Sequence, residues 1–266
     1  MFTVIAERIN MTRKSIRTKV WERDESFIRN EARRQVQAGA THIDINAGGD
    51  PSKEVDDMVW LAKIVSDEVG LPLSFDSANP DAIRAGLEVC NREGSIINSI
   101  TMEKARVDSI IPIVKQYDTG IVCLAMNDEG MPEDLKGRVK ITDDIVALLK
   151  SNDIPINRAY FDHLVRPAST NPGQALFILD AIKYTRETYP DAHIALGLSN
   201  ISFGIPKRNN FNKVFLAMLI AAGCDGAIVD PTEPDMMLTL CSARAVLGLD
   251  EYCMNYITTM REAGEA

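Results

Sequence analysis

Short apolar runs of four or five residues alternate with longer amphipathic stretches along the whole chain. The short runs predict eight strands, at residues 3–6, 42–46, 73–76, 95–98, 121–125, 159–162, 193–197 and 227–230. The longer stretches carry apolar residues at helical spacing and predict helices at residues 26–38, 55–69, 80–90, 105–117, 142–150, 174–188, 211–222 and 236–247. Eight strand–helix units of about 30 residues predict one α/β domain, a (β/α)8 TIM barrel over residues 1–266.

The number of strands separates this barrel from a doubly wound sheet, the main alternative. A doubly wound sheet usually has fewer strands and often a glycine-rich phosphate-binding turn after the first one. Neither GxGxxG nor GxxxxGK[ST] occurs in the sequence. An additional C-terminal helix is predicted at residues 250–261, where it would close the bottom of the barrel or pack against a second subunit.

The composition is that of an ordinary globular protein and narrows the function classes. Of 266 residues, 45% are hydrophobic and 25% are charged, and the formal net charge is −9. This acidic balance argues against nucleic acid as a partner. No apolar run reaches the roughly 20 residues that a membrane span requires. The N-terminal MFTVIAERIN turns polar too early for a signal peptide, so we expect a cytoplasmic protein.

Cysteines and histidines are scattered rather than clustered. The five cysteines include no CxxC pair, and the three histidines form neither HxH nor HExxH. The sequence therefore predicts buried thiols and no metal held by the protein. His163 follows Asp162, but neighbouring residues of a strand point to opposite faces, so we do not assign His163 to a site.

Nearly every predicted strand ends in Asp or Asn, and in a (β/α)8 barrel these ends surround the ligand-binding mouth. Aspartate accepts hydrogen bonds, whereas asparagine both donates and accepts them. Such a ring suits a flat heterocycle with polar edges, such as a pterin; the alternative is a set of interior side chains that only brace the loops. The residues are Asn10, Asp44, Asn46, Asp76, Asn98, Asn127, Asp162, Asn200 and Asp230.

Seven short segments contain most of these polar residues: AERIN (6–10), IDINAGG (43–49), FDSANP (75–80), INSIT (97–101), MNDEGMP (126–132), FDHL (161–164) and LGLSNISFG (196–204). In this order they resemble the pterin-binding barrel family. That family includes dihydropteroate synthase, the folate domain of cobalamin-dependent methionine synthase and the methyltetrahydrofolate:corrinoid protein methyltransferases. The similarity runs from about residue 4 to about residue 255 and is greatest to the stand-alone methyltransferases.

The resemblance implies roles for five residues. Asp76, Asn98 and Asp162 match the residues that hold the pterin on the third, fourth and sixth strands. Asn200 matches a mobile amide that reaches N5 of folate, which makes it the implied catalytic residue. Arg208 matches a basic residue of the following loop, but residues 205–207 differ from the relatives and leave its role open.

The function implied by the resemblance is methyl transfer between N5 of tetrahydrofolate and the cobalt of a corrinoid protein. Tetrahydrofolate would be a substrate, and no tightly bound cofactor is expected. Cobalamin would be supplied by a partner corrinoid protein, because the sequence has no DxHxxG-like corrinoid anchor. The relatives are commonly dimers, so a homodimer is expected. The direction of transfer stays open.

Two alternatives remain. Dihydropteroate synthase would need a lysine near the seventh strand and an arginine near the eighth, where this chain has Asn200 and the acidic segment DPTE (230–233). The other alternative is a folate-binding barrel without turnover.

A basic cluster is predicted in the loop after the first strand. It could contact the glutamate carboxylates of folate, contact a partner, or be a solvated surface. The cluster consists of Arg13, Lys14, Arg17 and Lys19.

Overall fold

The computed structural model describes residues 1–262, and the last four residues of the predicted domain, 263–266, lie outside the described part. Within residues 1–262 eight parallel strands close into a barrel in sequence order, which confirms the predicted (β/α)8 fold. The strands are β1 (Thr3–Asn10), β2 (His42–Asn46), β3 (Leu73–Asp76), β4 (Ile96–Ile100), β5 (Gly120–Leu124), β6 (Ala159–Asp162), β7 (His193–Gly197) and β8 (Gly226–Val229).

Helices surround the barrel. Their bounds are α1 (Lys14–Trp21), α2 (Glu25–Gln37), α3 (Glu54–Glu68), α4 (Pro80–Val89), α5 (Lys104–Tyr117), α6 (Leu135–Ser151), α7 (Gln174–Thr188), α8 (Arg208–Ala222), α9 (Met236–Val246) and α10 (Met254–Glu262). Among the described residues, no helix combines the length and the apolar character that crossing a membrane requires. The predicted C-terminal helix is present as α10 and packs against α9.

One helix was not predicted, and several predicted helices begin at other residues. Helix α1 was expected as a loop, because its sequence is basic and buries only Ile16 and Val20. Three residues of the basic cluster, Lys14, Arg17 and Lys19, therefore lie on a helix. Helix α6 begins at residue 135 rather than 142, and α8 begins at residue 208 rather than 211, because their first turns are polar and hide the apolar period.

The strands alternate between a face that packs against the helices and a face that lines the barrel. On β3, Phe75 points to the helices and is fully buried, while Ser74 and Asp76 point inward. The lower part of the interior is apolar, and it consists of Ile5, Ile96, Val122, Ala195 and Ile228, with Leu124 and Tyr160 against them. Polar side chains therefore occupy the inward positions that follow, toward the carboxyl ends of the strands.

Candidate active site

The carboxyl ends of the strands form what we call the barrel mouth. By alternation along each strand, the inward positions next to the mouth are polar on most strands. This polar layer consists of Glu7, Asp44, Asn46, Ser74, Asp76, Asn98, Asp162 and Asp230.

On strands β2 to β4 the polar layer pairs amides with carboxyl groups. Asn46 Nδ2 donates to Asp76 Oδ2 at 2.9 Å, and Asn98 Nδ2 donates to Asp44 Oδ1 at 3.2 Å. Ser74 Oγ donates to the same Asp44 oxygen at 2.6 Å. The two carboxyl groups are close enough for the charge of Asp76 to act on Asp44.

Burial changes the ionisation of both carboxyl groups. It raises the pKa of Asp44 well above its ordinary value, and the nearby charge of Asp76 raises it further. Burial also raises the pKa of Asp76, against the hydrogen bond from Asn46 and the charge of Arg106, which favour its ionised form. Asp76 is thus the member of the pair that is better supported as a carboxylate.

A cavity of about 680 Å³ opens beside this cluster, and Asp76 and Asn98 line it together with Arg106, Met126 and Asp128. Its volume lies within the range of about 300–1,000 Å³ that is typical of small-molecule sites. The two predicted pterin-binding residues of β3 and β4 therefore face one cavity.

Arg106 of α5 ties together the two loops that form the wall of this cavity. Its Nε donates to Ser99 O at 2.8 Å, and its two terminal nitrogens donate to Ala78 O at 2.7 Å and to Ser77 O at 2.8 Å. Ser77 directly follows Asp76, and Ser99 directly follows Asn98. Arg106 therefore fixes the backbone from which both predicted ligands project.

Asp162, at the end of β6, is buried and is held by backbone amides. Leu164 N donates to Asp162 Oδ1 at 2.7 Å, and Gly197 N donates to Oδ2 at 3.0 Å. Burial raises the pKa of Asp162, and these two hydrogen bonds act in the opposite direction. The next residue, His163, lies on the helix side, where its Nε2 is 3.0 Å from Thr185 Oγ. Burial lowers the pKa of His163 to about 3, so this ring is neutral.

Asn200 is exposed on the short 3-10 helix Leu198–Ser202 that follows β7. The neighbouring Ser199 Oγ donates to Glu7 Oε1 at 2.9 Å, and Arg208 donates to Ser199 O at 2.7 Å and to Ser202 Oγ at 3.0 Å. Arg208 thus stabilises the turn that carries Asn200.

A second cavity, of about 390 Å³, lies on this side of the mouth and is lined by Glu7, Arg13, Ser199, Arg208 and Asp230, among others. Burial raises the pKa of Glu7, against the hydrogen bond from Ser199. The neighbouring Asp230 accepts a hydrogen bond from Arg8 Nη1 at 2.8 Å. Within residues 1–262, no three His, Cys, Asp or Glu side chains are placed to hold a metal ion.

The five residues singled out from the sequence all lie at the carboxyl side of their strands, but they do not line one cavity. Asp76 and Asn98 line the larger cavity and Arg208 lines the smaller one. Asp162 and Asn200 line neither of these two. A single pterin pocket formed by all of them stays a prediction.

Sequence reasoning assigned no role to two residues of the site and missed a third. Asp44 and Asn46 were placed in the predicted polar ring, and they occupy inward positions of β2, where alternation puts them next to the predicted ligands. Arg106 has no comparable signal, because its position in α5 resembles that of any exposed helical arginine.

The sequence matches the family described as pterin binding enzyme over residues 6–230. It is 34% identical over 261 residues to the methylcorrinoid:tetrahydrofolate methyltransferase of Eubacterium limosum, which covers 97% of this chain and 96% of that protein. It is 28% identical over 243 residues to the methionine synthase of Mycobacterium tuberculosis, covering 86% of this chain but 20% of that protein.

Solved structures with the same fold are more distant in sequence. The DHPS of Yersinia pestis with a pterine–sulfa conjugate aligns with a TM-score of 0.66 at 14% identity, covering 92% of this chain and 94% of that chain. The dihydropteroate synthase of Coxiella burnetii in complex with pteroic acid aligns with a TM-score of 0.67 at 13% identity and the same coverage. These two structures show a shared fold. The family match spans most of the chain, and the Eubacterium limosum relative is aligned almost end to end; this chain therefore belongs to the pterin binding enzyme family.

Proposed function

We propose that this protein transfers a methyl group between N5 of tetrahydrofolate and the cobalt of a corrinoid protein. The proposal is carried by the 34% identity, over nearly the full length of both chains, to a methyltransferase whose name states both substrates. The polar layer at the barrel mouth supports it, because it offers the donors and acceptors that a pterin requires. The direction of transfer is open, since the same site serves both directions.

Asp76, Asn98 and Asp162 are the proposed pterin ligands. The 2-amino group and ring N–H groups of a reduced pterin donate hydrogen bonds, which carboxylate oxygens accept, and an asparagine amide can satisfy either kind of group. Asn46 and Arg106 hold the β3 and β4 ligands in place, as the site geometry indicates. Fixing the ring in this way would keep N5 facing the open mouth, and orientation can lower a barrier by several kcal/mol.

Asn200 is the proposed catalytic residue. When the methyl group moves to folate, the lone pair of N5 forms the new bond to carbon, the cobalt–carbon bond breaks with both electrons left on cobalt, and N5 then releases its proton. In the reverse direction N5 must gain a proton before its bond to carbon breaks. N5 carries partial positive charge in the transition state of either direction, and the amide oxygen of Asn200 would accept a hydrogen bond from the N5–H group without titrating.

Cobalamin is proposed to arrive on a partner corrinoid protein that docks over the mouth. The turn that carries Asn200 lies at that end of the barrel, where the two cavities open between short loops. No tightly bound cofactor is assigned to this chain. We place the protein in the cytoplasm, because its five cysteines are free thiols and the cytoplasm keeps thiols reduced.

Dihydropteroate synthase is the weaker candidate. The end of β8 carries Asp230, which is already paired with Arg8, where a pyrophosphate would need a free cation. The solved synthases share the fold at 13–14% identity, which does not favour their reaction over methyl transfer. A folate-binding barrel without turnover is the other candidate, and it would bind folate without forming product.

One assay separates the three candidates. The protein is mixed with methylcobalamin and tetrahydrofolate, and loss of the methylcobalamin absorbance is followed together with formation of methyltetrahydrofolate. We expect product to form at a rate that depends on enzyme concentration. Folate binding without product in either direction would support the non-catalytic barrel, and condensation of a pterin pyrophosphate with p-aminobenzoate would support the synthase.

The Asn200→Ala variant tests the proposed catalytic residue. We expect kcat to fall about 100-fold, the usual scale for removing one polar group aimed at a developing charge, with KM for tetrahydrofolate changed less than threefold. Asn152→Ala is the matched control, because Asn152 caps α6 by donating to Leu148 O, away from the mouth. Unchanged kcat in Asn200→Ala would remove the proposed role.

A homodimer is also proposed, through an apolar strip on α7 and α8. The strip is formed by Leu176, Phe211, Val214 and Met218, and Leu176 and Val214 are 60% and 63% exposed. Burying these exposed side chains against a second copy would remove apolar surface from water. Light scattering should give the mass of a dimer, and Val214→Asp should shift it toward the monomer. A monomeric wild-type protein would contradict this part of the proposal.

A further inference from the structure

Arg138 of α6 is the largest fully buried side chain, with 0% of its surface exposed. The hydrogen-bond partners of its guanidinium within residues 1–262 are neutral. They are the carbonyl oxygens of His163 and Leu164 and Oε1 of Gln174, the last two at 3.0 Å. Burying a guanidinium without a carboxylate in contact is strongly unfavourable. A role for the buried charge of Arg138 other than an ordinary salt bridge must therefore be sought.

One peptide group connects Arg138 to Asp162. The carbonyl of His163 accepts a hydrogen bond from Arg138 Nη1. The N–H of the same peptide group belongs to Leu164 and donates to Asp162 Oδ1 at 2.7 Å. The peptide group thus lies between a cation and a carboxyl group, with one hydrogen bond on each side. This arrangement is an ion pair bridged by a peptide rather than a direct contact.

Arg138 also holds the backbone conformation that aims this peptide. Leu164 has a φ of +59°, in the left-handed region that a residue with a branched side chain rarely adopts. Arg138 Nη1 donates to the carbonyl of Leu164 at 3.0 Å, in addition to that of His163. Two consecutive carbonyls are therefore fixed by one guanidinium, and the N–H of Leu164 is left pointing at Asp162.

Hydrogen bonds in series polarise one another, so a cation on the carbonyl side makes the N–H of the same peptide a stronger donor. The electrostatics at Asp162 agree with this geometry. Burial raises its pKa, while the amides of Gly197 and Leu164 and the charge of Arg138 favour the ionised form.

We propose that Arg138 is a positioning residue for Asp162, acting through the His163–Leu164 peptide group to aim the carboxyl group at the barrel interior and to favour its charged form for a ligand that donates hydrogen bonds. The identity of that ligand as a reduced folate rests on the proposed function. The link between Arg138 and Asp162 does not.

The other charged and titratable groups near this network are few. His163 is neutral, because burial lowers its pKa to about 3, and the buried thiol of Cys224 has a raised pKa. The remaining groups are Arg166, Glu133 and Asp134, which face Arg138 from the loops around α6. Among these groups, Asp162 is the one joined to Arg138 through a hydrogen-bonded peptide group, so its ionisation is the one to follow.

The first experiment needs no ligand. The carboxyl carbon of Asp162 and the amide of Leu164 are followed by NMR against pH in the full-length wild-type protein, Arg138→Met and Arg138→Lys. We expect the midpoint of Asp162 to rise by about one pH unit in Arg138→Met and to return close to the wild-type value in Arg138→Lys. The same midpoint in Arg138→Met and wild type would overturn the proposal. If Arg138→Met does not fold, Arg138→Gln removes the charge and keeps a donor for the His163 carbonyl.

Arg186→Met is the matched control. Arg186 of α7 also holds backbone carbonyls, those of Gly223, Pro190 and Ala192, but at the opposite end of the barrel. Its loss should lower the melting temperature and leave the Asp162 midpoint unchanged. A shift of the midpoint in this variant equal to that in Arg138→Met would show a general loosening of the barrel and would overturn the proposal.

The second experiment measures methyltetrahydrofolate binding by calorimetry at several pH values. At pH values between the Asp162 midpoints of wild type and Arg138→Met, we expect Arg138→Met to bind about tenfold more weakly than wild type. The difference should become smaller at higher pH, and Arg138→Lys should restore the affinity. Equal affinity and equal pH dependence in wild type and Arg138→Met would overturn the positioning role. If the wild type binds no reduced folate, the proposed function fails, while the NMR result still decides the link between Arg138 and Asp162.

Discussion

Two aspartates at opposite ends of the barrel have opposite electrostatic environments. Asp225, just before β8 at the closed bottom, accepts from Ile194 N at 2.7 Å and lies 2.8 Å from His193 Nδ1 and 3.0 Å from Arg186 Nη2. Asp162, at the mouth, is held by backbone amides. Burial acts on both carboxyl groups. At Asp162 the effect of burial is the largest, and the pKa is raised. At Asp225 the hydrogen bonds and charges of His193, Ile194 N and Arg186 outweigh burial, and the pKa is lowered.

Under the proposed function, the difference separates a charge that stabilises the barrel from a charge that serves a ligand. At the bottom, Arg186 forms a direct ion pair with Asp225. This is expected at the end of a barrel whose residues stabilise the fold rather than bind a ligand. At the mouth the cation is one peptide group away, and the hydrogen bonds that Asp162 accepts come from the backbone amides of Leu164 and Gly197. A buried carboxyl group without a direct ion pair lowers the stability of the fold, and such a loss of stability is common at binding sites.

The sharpest test of this comparison replaces each aspartate by asparagine. Both variants should lose stability, since the new NH2 group meets a donor that the carboxylate accepted. Asp162→Asn should in addition lower kcat/KM for methyl transfer about 100-fold or more, whereas Asp225→Asn should stay within twofold of wild type. The measurements are the methylcobalamin assay and a thermal melt for each variant.

The two melts serve as the internal control, because they report how far each variant loosens the barrel. A similar loss of activity in both variants, in proportion to their loss of melting temperature, would mean that mouth and bottom do not differ in function.

The sequence was sufficient for the architecture and for part of the polar layer. Eight regularly spaced strands with inward and outward faces determine a closed barrel, and residues at strand ends such as Asp76 and Asn98 follow from that geometry. The same rule placed Asp44 and Asn46 in the predicted ring, but they received no role of their own because the resemblance assigns the ligands to other strands.

The supporting arginines could not be predicted in this way. Arg138 and Arg106 act on backbone carbonyls, and a carbonyl has no signature in the sequence. Each partner also lies on a different element, 25 residues away for Arg138 and His163. Arg138 lies in the polar first turns of α6, which is why the sequence predicted a shorter helix that left Arg138 out.

The smallest expected effect is a pH dependence of stability with opposite sign in the two regions. Asp44 has a raised pKa in the folded protein, so the unfolded chain releases its proton first, and stability falls as pH rises from the ordinary value of about 3.9 through the folded pKa. Asp44→Asn removes this loss, and its melting temperature should equal that of wild type near pH 4 and exceed it by a few °C at pH 8, where 1 kcal/mol corresponds to about 2–4 °C.

Asp225 has a lowered pKa, so its contribution to stability is present above the ordinary value and is lost as pH falls through the folded pKa. Asp225→Asn should therefore melt below wild type at pH 8, and the gap should narrow toward acid. Thermal melts of the three proteins across this range test both signs in one series. If the melting temperatures of Asp44→Asn and Asp225→Asn changed with pH in parallel, the carboxyl groups at the mouth would be stabilised as well as those at the bottom. The mouth would then have no electrostatic feature that favours a ligand.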